Sequence, residues 1–423
     1  MTIIQRIESQ TCGCDRLTDK IDLISVDDAI LRIARATQAV VETEEIDLMQ
    51  AAGRVLARSV RSLGMVPPFD NSAMDGYAIK SADLNADGPW DLRVADRVAA
   101  GQSRAEEIPA NTAVQIFTGA PIPRGADTVV MQEDVERSAD RIVLKNKAKT
   151  GAHIRKAGED MIAGKIIVPT GRRLTARDIA ACAAAGHGTV SVYRRIRIAL
   201  LVTGDEVRQP GQVRGSAGIW DVNTPMLSAV MIAPHVELCG VHHAADTRSA
   251  LRAQLSALAE QADIVVTTGG ISVGEEDHVK PVLADLGATI DFSGVALKPG
   301  KPVSFGKYNG TYWLGLPGNP LSAFVTWQVF GIALCNALSG MTYRSAQRRH
   351  VVLSRTVNHK PGRCEFRLAR LAGFDGTGRE IVEFEDATHS GRVAQLPDMD
   401  GLLFIPADAE ALPAGALVEF QPF

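Results

Sequence analysis

The segment ADIVVTTGG, residues 262–270, decides the fold class, because it is a nearly continuous apolar run that ends in two glycines. A strand that is apolar on both faces is typical of a parallel sheet covered by helices on each side. A similar run, RIRIALLVTG, lies at 195–204, and the helical pattern TRSALRAQLSALAEQ at 247–261 lies between the two. This alternation of strands and helices predicts a doubly wound parallel α/β domain.

The sequence changes in character on either side of this domain. Short β-type runs broken by Gly, Pro, Asn and Asp precede and follow it, and they predict small β domains. A helical pattern begins after Ser25, whose side chain is a suitable N-cap. In chain order the predicted regions are a flexible tail at 1–20, a helical and extended domain at 21–66 and 158–192, an inserted β-rich domain at 67–157, the α/β domain at 193–342 and a C-terminal β domain at 343–423.

The overall composition argues against several classes of protein. The 423 residues carry a net charge of −4, which argues against a nucleic-acid partner held by bulk charge. No apolar run approaches the roughly 18 residues of a membrane span, and the first residues lack the apolar core of a signal peptide. Six cysteines do not make a disulfide framework in so long a chain, so we expect a cytoplasmic protein. Cys12 and Cys14 form a close pair with no second pair to complete a zinc site, which favours a mobile tail.

Polar residues and glycines follow the predicted strands at their carboxyl ends, where ligands bind in open α/β sheets. Glycines let a ligand approach the backbone, and the N–H groups at the start of the next helix favour an anion. Asn319 and Pro320 suit the N-cap and the first position of a helix. Glu206 and Asp277 offer hard oxygen ligands for Mg²⁺ beside a phosphate. The candidate residues at the strand ends are Asp205 and Glu206 in TGDE, Gly269, Gly270, Ser272, Gly274 and Asp277 in TTGGISVGEED, and Pro317, Gly318, Asn319, Pro320 and Ser322 in LPGNPLS.

A turn with two lysines lies between the second and third of these loops. In LKPGKPVSFG, Lys298 and Lys301 are three residues apart on a turn stiffened by Pro299 and Pro302. Two ammonium groups on a rigid turn suit a phosphate or another oxyanion. The three polar loops and this lysine pair together predict a site for a phosphate-bearing ligand. No GxGxxG fingerprint follows a strand, so a nicotinamide-dependent enzyme is not expected.

The stretch PPFDNSAMDGYA, residues 67–78, places many short polar groups behind a stiff lead of two prolines. Proline fixes φ and lacks a backbone donor, so this lead cannot lie inside a helix or a central strand. Asp70, Asn71 and Ser72 are expected to fix their own loop by turn-type hydrogen bonds. The turn RKAGED at 155–160 is either a functional turn or a solvated hairpin, and its residues alone leave both open.

The motifs, taken together, resemble those of one protein family. PPFDNSAMDGYA, FTGAP, RKAGED, TGDE, TTGGISVGEEDHVK, KPGKPVSFG and LPGNPLSA occur in the order seen in the molybdopterin molybdotransferases, the MoeA-type proteins related to the gephyrin E domain. The resemblance implies an elongated fold with an inserted β-rich domain, a dimerisation domain, a molybdopterin-binding α/β domain and a C-terminal β-barrel-like domain. It also implies a homodimer whose active site lies between the α/β domain of one subunit and the N-terminal domain of the other.

The same resemblance implies a reaction of molybdenum cofactor biosynthesis. Members of the family insert molybdenum from molybdate into the dithiolene of adenylyl-molybdopterin and release AMP, assisted by Mg²⁺. Molybdopterin adenylyltransferase and maturation proteins of molybdoenzymes are the implied partners. The catalytic positions that match are Asp75, Glu206, Asp246, Asp277, Lys298 and Lys301, with Glu206 and Asp277 as metal ligands. The matching substrate-binding positions are Thr118, Arg155, Asp160, Thr203, Gly269, Gly270, Ser272, Gly274, Pro317, Gly318, Asn319, Pro320, Ser322, Arg363 and Ser390.

The sequence departs from the family pattern at two places and admits two alternative functions. Gly294 stands where many relatives carry a basic residue, and Asp221-Val222-Asn223 replaces the family's Asp-Ser-Asn. A molybdopterin adenylyltransferase resembles the α/β domain alone, and a gephyrin-like scaffold would lack enzyme activity. The N-terminal block, the lysine turn and the C-terminal β region favour the insertion reaction over adenylylation. Retention of Glu206, Asp277 and both lysines argues against the scaffold.

Overall fold

The computed structural model describes residues 23–85, 87–213, 215–271, 277–342, 348–386 and 389–423. The predicted tail at 1–20, with Cys12 and Cys14, lies outside these residues, as do Ser272 and Gly274. The strands and helices group into four regions, and the domain boundaries proposed from the sequence stay predictions.

The first two regions are formed by the chain before the α/β sheet. Their elements are α1 (Val26–Ala36), β1 (Thr43–Asp47), β2 (Val60–Arg61), β3 (Asn71–Ser72), β4 (Gly76–Ile79), β5 (Trp90–Val98), β6 (Thr112–Ile116), β7 (Thr128–Met131), β8 (Val135–Ser138), β9 (Arg141–Leu144), β10 (Ile154–Arg155), β11 (Ile166–Val168), α2 (Ala176–Ala184) and β12 (Thr189–Tyr193). β1 pairs with β12 and β2 pairs with β11, both antiparallel. The chain therefore leaves the N-terminal region after β2 and re-enters it at β11, around the inserted strands.

Helix α1 begins as the sequence predicts. The hydroxyl oxygen of Ser25 accepts a hydrogen bond from the N–H of Asp28, which confirms Ser25 as the N-cap. A cap of this kind stabilises a helix by about 1 kcal/mol. The apolar face of α1 is buried in the core of the α/β region, so this helix joins the N-terminal segment to the main sheet.

The inserted region is built on a six-stranded sheet with the order β7-β4-β6-β5-β9-β8. Successive residues of its strands face opposite sides, as the period of two requires. Tyr77 and Ile79 enter one apolar cluster, whereas Ala78 between them enters another. β3 and β10 form a separate two-stranded ribbon, which brings the stretch PPFDNSAMDGYA beside the turn RKAGED.

The last two regions contain the main sheet and a barrel. Their elements are β13 (Ile196–Thr203), β14 (Val207–Arg208), β15 (Ile219–Trp220), α3 (Asn223–Val230), β16 (Val236–Ala244), α4 (Arg248–Ala259), β17 (Ile264–Thr268), α5 (Val279–Asp285), β18 (Thr289–Ser293), β19 (Leu297–Lys298), β20 (Ser304–Tyr308), β21 (Thr311–Leu316), α6 (Pro320–Thr326), α7 (Ile332–Leu338), β22 (Arg349–Leu353), β23 (Val357–Asn358), β24 (Cys364–Phe374), β25 (Glu380–Phe384), β26 (Gly401–Ile405), β27 (Ala411–Leu412) and β28 (Leu417–Pro422).

The main sheet has the order β16-β13-β17-β21-β20-β18. Its first four strands are parallel to one another. Apolar residues of α1, α3, α6 and α7 pack on one face, and those of α4 and α5 pack on the other. Helices on both faces of a parallel core confirm the predicted doubly wound fold class.

The sheet is not parallel throughout, which differs from the prediction. β20 runs antiparallel to both β21 and β18. A two-residue turn at Asn309 and Gly310 joins β20 to β21, and φ is +46° and +85° at these residues. Two successive positive φ angles are typical of the hairpin turn that Asn-Gly favours. This dipeptide was the signal for the hairpin in the sequence.

The helical run from Pro320 to Leu338 is long and apolar. It comprises α6, a π-helical turn (Trp327–Gly331) and α7. Contrary to the expectation from the sequence, its length and composition would allow it to cross a membrane, but 72% of its apolar window is buried inside the protein. It therefore packs as the core helix of a globular domain.

The C-terminal region is a closed five-stranded barrel. Its strand order is β24-β25-β22-β28-β26, and β26 pairs back to β24 to close it. Closure leaves no exposed sheet edge and confirms the predicted barrel-like domain. β19 of the α/β region pairs in parallel with β24, and the ring of Phe423 lies edge-on to Phe324 with centroids 4.9 Å apart. The barrel is thus fixed to the α/β region.

A partly buried carboxylate, that of Asp263, joins the starts of the central strands β13 and β17. Arg194 donates hydrogen bonds to its two oxygens at 2.7 and 2.9 Å, and the N–H of Arg197 donates at 2.8 Å. Burial alone would raise the pKa of Asp263, but the hydrogen bonds from Arg194 and Arg197 outweigh it and hold the pKa below its ordinary value. The ionised carboxylate therefore stabilises the folded protein at neutral pH.

Asp263→Asn is expected to lower the free energy of unfolding by about 3 kcal/mol at neutral pH, because Arg194 loses its partly buried partner. Since the folded-state pKa lies below the unfolded one, this stabilisation is present above about pH 4 and is lost as the pH falls through the folded-state value. Urea unfolding of both proteins across this range measures the effect. Glu383→Gln, which removes the exposed pair with Arg370, is the control. Equal losses in the two variants at neutral pH would contradict the assignment.

Candidate active site

A cavity of ≈ 350 Å³ lies at the carboxyl edge of the parallel strands. The chain leaves β13 toward β16 on one side and leaves β17 toward β21 on the other. The cavity therefore occupies the topological switch point, where α/β sheets bind ligands. The described residues that line it are Val202, Thr203, Glu206, Val207, Ile219, Trp220, Asp221, Val222, Asn223, Thr268, Gly269, Gly318, Asn319 and Pro320. Those that the sequence assigned to the site are Thr203, Glu206, Gly269, Gly318, Asn319 and Pro320.

Gly269 allows two loops to meet at the cavity. Its φ is +91°, in the left-handed region that favours glycine. A Cβ on Gly269 would lie 2.9 Å from Oγ1 of Thr203, and a Cβ on Gly318 would lie 3.6 Å from Cα of Gly269. The loop after β17 therefore packs directly on the end of β13 and on the loop after β21.

Asn223 connects three segments that line the cavity by hydrogen bonds. Its Nδ2 donates to Oγ1 of Thr268 at 2.8 Å and to the carbonyl oxygen of Gly318 at 2.7 Å. The hydroxyl of Thr268 in turn donates to the carbonyl oxygen of Pro317 at 3.2 Å. These bonds join the start of α3, the end of β17 and the loop after β21. Pro317, which the sequence assigned to the site, contributes its carbonyl to this framework.

One end of the cavity is acidic. Glu206 lines it, and beyond it the backbone N–H groups of Asp205 and Asp246 each donate to the other residue's carboxylate, at 3.3 and 3.4 Å. Burial raises the pKa of Asp246, and the charges of Asp205 and Glu206 add to the effect. Among the residues that the structure describes, no group of three His, Cys, Asp or Glu side chains is arranged to hold a metal ion. A divalent cation here would therefore need further oxygens from a ligand or from water.

Asp277 lies two residues before α5 and is half-buried, but it is not among the described residues that line the cavity. Burial lowers the pKa of Lys280, and the negative charge of Asp277 opposes this shift. Gly270 has a φ of +61°, and a Cβ there would lie 3.4 Å from Oγ1 of Thr203. The predicted residues between Gly270 and Asp277, namely Ser272 and Gly274, lie outside the described residues.

The predicted oxyanion residues gather where the barrel meets the α/β region. The pairing of β19 with β24 places Lys298 opposite Glu365, and Arg363 directly precedes β24. The lysine turn packs on α6, because a Cβ added to Gly300 would lie 3.7 Å from the carbonyl oxygen of Ser322. This junction, as we call it below, holds Lys298, Lys301, Ser322, Arg363 and Ser390.

The start of α6 differs from the prediction. Asn319 makes no side-chain capping hydrogen bond, although Pro320 occupies the first turn as expected. Instead the carbonyl oxygen of Ser390 accepts hydrogen bonds from the N–H groups of Leu321 and Ser322, at 2.9 and 3.4 Å. These N–H groups, which were expected to favour an anion, already have a partner. Ser390 thus reaches the site through its backbone.

The backbone conformation at residue 294 explains why glycine is found here in place of the basic residue of the family pattern. Its φ is +105°, and a Cβ there would lie 2.9 Å from the side chain of Leu23. A basic residue would be strained in this conformation. The geometry of the turn therefore requires glycine here.

Asp75 and Thr118 form one polar unit on the surface of the inserted region. The N–H and the hydroxyl of Thr118 both donate to Oδ1 of Asp75, at 2.7 and 2.8 Å. These two hydrogen bonds hold the pKa of Asp75 below its ordinary value. Arg155 lies on β10 and Asp160 follows it, and both are exposed. Among the described residues, no hydrogen bond or ion pair joins these four to the cavity or the junction of the same chain.

The stretch PPFDNSAMDGYA is held partly as predicted. Asn71 and Ser72 bond to backbone carbonyls two residues away, within their own loop. Asp70 differs, because its two oxygens accept from the N–H of Ala157 and from the ammonium of Lys156, both at 2.8 Å. The turn RKAGED is therefore docked on this stretch and does not project as a separate solvated hairpin.

Several residues at the cavity were not assigned from the sequence. Trp220, Asp221 and Thr268 line it. The carboxylate of Asp221 is buried, accepts from the N–H of Thr224 at 2.9 Å and lies 3.1 Å from Nε2 of His243. The available signal was the position of Asp221 just before a helical run, where a carboxylate favours an N-terminal capping role.

Three family models match successive parts of the chain. The MoeA N-terminal region (domain I and II) matches residues 24–186, a probable molybdopterin binding domain matches residues 199–336, and the MoeA C-terminal region (domain IV) matches residues 350–423. The probable molybdopterin binding domain therefore contains the cavity, and the C-terminal match contains the barrel.

Curated relatives and a solved structure match most of the chain. The molybdopterin molybdenumtransferase of Haemophilus influenzae is 37% identical over 306 residues, which cover 72% of this chain and 75% of that protein. The molybdopterin molybdenumtransferase of Nostoc sp. is 34% identical over 384 residues, which cover 88% and 87%. The solved structure of the molybdopterin biosynthesis moeA protein from Pyrococcus horikoshii OT3 matches with a TM-score of 0.80 at 26% identity, covering 95% of this chain and 100% of that one. The chain belongs to the molybdopterin molybdenumtransferase family and is an enzyme of molybdenum cofactor biosynthesis.

Proposed function

We propose that the protein inserts molybdenum from molybdate into the dithiolene of adenylyl-molybdopterin and releases AMP. The start of α6 carries this proposal, because it borders both the cavity and the junction. Asn319 and Pro320 line the cavity, and the backbone of Ser322 contacts the lysine turn. A ligand in the cavity would therefore have its reacting end close to the cationic junction.

The cavity has the size and polarity for the adenylyl and phosphate part of the substrate. Its ≈ 350 Å³ lies in the range of small-molecule sites. Glu206 and Asp277 would hold Mg²⁺, with substrate oxygens completing its shell. Bound there, Mg²⁺ would offset the negative charge that develops as the phosphoanhydride breaks. Burial raises the pKa of Asp246, and the negative charges of Asp205 and Glu206 add to this shift, so a cation at this end would lie beside several carboxylates.

The junction has the charge for molybdate. Lys298, Lys301 and Arg363 would supply three cationic groups, and the hydroxyl of Ser322 would supply a further donor. Charge-assisted hydrogen bonds of this kind are the strong ones in oxyanion sites. We therefore assign molybdate to the junction and the adenylyl group to the cavity.

We further propose that the enzyme is a homodimer whose active sites are shared between subunits. Asp75, Thr118, Arg155 and Asp160 are exposed and do not reach the cavity of their own chain, which supports a role in the site of a second copy. An apolar patch lies on the same side of the chain as the turn RKAGED. It consists of Leu63, Met65 and Ile162, which are 68%, 47% and 60% exposed.

Two members of the apolar patch lie close together, because a Cβ on Gly158 would lie 3.5 Å from the side chains of both Met65 and Ile162. Leu63 follows two residues after β2, which pairs with β11. Exposed apolar patches are typical of protein interfaces. A second copy of this chain is the occupant that would also bring Arg155 and Asp160, close to the patch in sequence, to a cavity.

The domain order favours insertion over the alternative functions. A molybdopterin adenylyltransferase needs the α/β domain alone, whereas this chain also matches the MoeA N-terminal and C-terminal regions. The acidic cavity end and the cationic junction argue against a scaffold without activity. We expect the reaction in the cytoplasm, with the adenylyltransferase supplying the substrate and a molybdoenzyme maturation protein receiving the product.

A turnover assay tests the proposed function directly. Purified protein is mixed with adenylyl-molybdopterin, Mg²⁺ and molybdate, and AMP and molybdenum cofactor are measured. Molybdate-dependent AMP release supports the proposal. Pyrophosphate release from molybdopterin and ATP alone would instead favour the adenylyltransferase.

Glu206→Gln and Asp277→Ala are each expected to lower molybdate-dependent AMP release by on the order of a hundredfold, because each removes a proposed charged ligand of Mg²⁺. The matched control is Glu260→Gln, which changes an exposed carboxylate at the end of α4. Wild-type rates in either active-site variant would show that the metal assignment of that residue is wrong.

Gly269→Ala is expected to raise the KM for adenylyl-molybdopterin, because the added Cβ separates the loop after β17 from Thr203. Gly415→Ala is the control, since Gly415 has a similar φ of +82° but an added Cβ would meet nothing within 4 Å. Both changes cost on the order of 1 kcal/mol of stability through the positive φ. Steady-state kinetics should show a raised KM in Gly269→Ala alone. A matching rise in Gly415→Ala would contradict the role of Gly269 in substrate binding.

Co-expression of Asp75→Asn and Glu206→Gln subunits tests the shared site. Each variant alone should be inactive, but a mixed dimer holds one site with intact Asp75 and intact Glu206. Random pairing in a two-fold dimer should therefore restore about a quarter of the wild-type activity. No restoration in mixed dimers, verified by differently tagged subunits, would place both residues in one chain's site.

A further inference from the structure

Glu365 is a buried carboxylate at the junction that the proposed reaction has not yet used. It lies on β24 of the barrel and is 2% exposed. Its Oε1 accepts a hydrogen bond from Nζ of Lys298 at 3.0 Å, and its Oε2 accepts from Nη2 of Arg367 at 3.1 Å. Each carboxylate oxygen therefore holds one cation.

The cation on the barrel side is itself fixed. Arg367 is 4% exposed and also donates to the carbonyl oxygens of Asn358 at 3.0 Å and Glu385 at 3.4 Å. The ring of His359 lies 3.9 Å from Oε2 of Glu365. Burial alone would raise the pKa of Glu365, but the hydrogen bonds from Arg367 and Lys298 outweigh it and lower the pKa. Glu365 is therefore ionised at neutral pH and held from one side by the barrel.

We propose that Glu365 is a positioning residue that holds the ammonium of Lys298 at the oxyanion site of the junction. The proposal rests on the assignment of molybdate to the junction. It gives the barrel a defined part in the reaction, since Glu365 acts through Lys298 and does not itself touch the substrate.

The donor count of an ammonium group makes this role possible. Lys298 has three N–H donors, and Glu365 takes one of them, so two stay available for an oxyanion. The side chain of Lys298 is 40% exposed, whereas that of Glu365 is 3% exposed, so the pair reaches solvent through the lysine.

The charge balance at the junction also fits an oxyanion. Arg367 neutralises Glu365 from within the barrel, which leaves the charges of Lys298, Lys301 and Arg363 uncompensated within this group. An ion pair that merely stabilised the barrel would not need to include a lysine of the α/β region. The in-register pairing of Lys298 with Glu365 instead fixes where that lysine can reach.

Glu365→Gln tests the proposal, because it keeps the shape of the side chain and removes the charge that holds Lys298. A freed lysine side chain regains rotamer freedom that binding must then restrict, so we expect the KM for molybdate to rise about tenfold. The KM for adenylyl-molybdopterin should stay unchanged. Glu365→Asp keeps the charge and should restore the molybdate KM in part.

Asp263→Asn is the control, because it breaks a partly buried Arg–carboxylate pair at the starts of β13 and β17, outside the junction. It should lose stability without a change in the molybdate KM. A molybdate KM that rises equally in Glu365→Gln and Asp263→Asn, or that falls in Glu365→Gln, would overturn the positioning role.

A second measurement does not depend on turnover. Lysines are acetylated with an N-hydroxysuccinimide ester, with and without molybdate, and modification at Lys298 and Lys301 is quantified by mass spectrometry. In the wild type molybdate should protect Lys298, and in Glu365→Gln this protection should be lost while Lys298 becomes more reactive. Unchanged protection in the variant would overturn the inference. If molybdate protects Lys298 in a wild-type protein that shows no turnover, the proposed reaction is wrong but the oxyanion site is not.

Discussion

The close approach of two backbone turns, at Gly269 and Gly318, determines the geometry of the whole site. A Cβ on Gly318 would lie 3.6 Å from Cα of Gly269, so the turns after β17 and β21 meet almost backbone to backbone. Asn223 locks this meeting by donating to Thr268 and to Gly318. The position of the Gly318 turn then sets where α6 begins, and the N–H groups at the start of α6 donate to the carbonyl oxygen of Ser390 in the C-terminal region. Packing at two glycines thus extends to the docking of a separate domain.

The charges around this framework are divided by sign. Carboxylates gather at the end of β13, where burial and mutual repulsion raise the pKa of Asp246. Cations gather at the junction, where a single buried carboxylate, Glu365, is shared by Lys298 and Arg367. Opposite charges on either side of the start of α6 suit a substrate pair in which one member needs a metal cation and the other is itself an anion. The same division would have little use in a protein that only binds a receptor.

The parallel strands and their polar ends were predictable from the sequence, because apolar runs and glycine turns are local signals. The long apolar helix, the N-cap at Ser25 and the β-rich insertion follow from equally local patterns. The antiparallel pairing of β20 with β21 was missed, although Asn309-Gly310 was a local signal for it. The apolar pattern of the flanking strands fits parallel and antiparallel pairing equally well. The capping of α6 by Ser390 and the ion pair between Lys298 and Glu365 could not be predicted, because each joins residues about 70 positions apart through tertiary packing. Glu365 lies two residues from Arg367 in an apolar strand, so both side chains are expected on one face of the sheet. This spacing does not indicate that Lys298 is the partner of Glu365.

The inserted region carries a polar unit that is oriented before anything binds to it. Both hydrogen bonds from Thr118 reach Oδ1 of Asp75, and none of the described residues donates to Oδ2. The hydrogen bonds lower the pKa of the carboxylate and fix its direction, yet the residue is exposed and contacts no cavity among the described residues of its own chain. A structural carboxylate would be expected to satisfy both oxygens within the fold, as Asp70 does with Ala157 and Lys156. The difference between these two neighbouring aspartates supports the proposal that Asp75 acts on a site in a second copy of the chain.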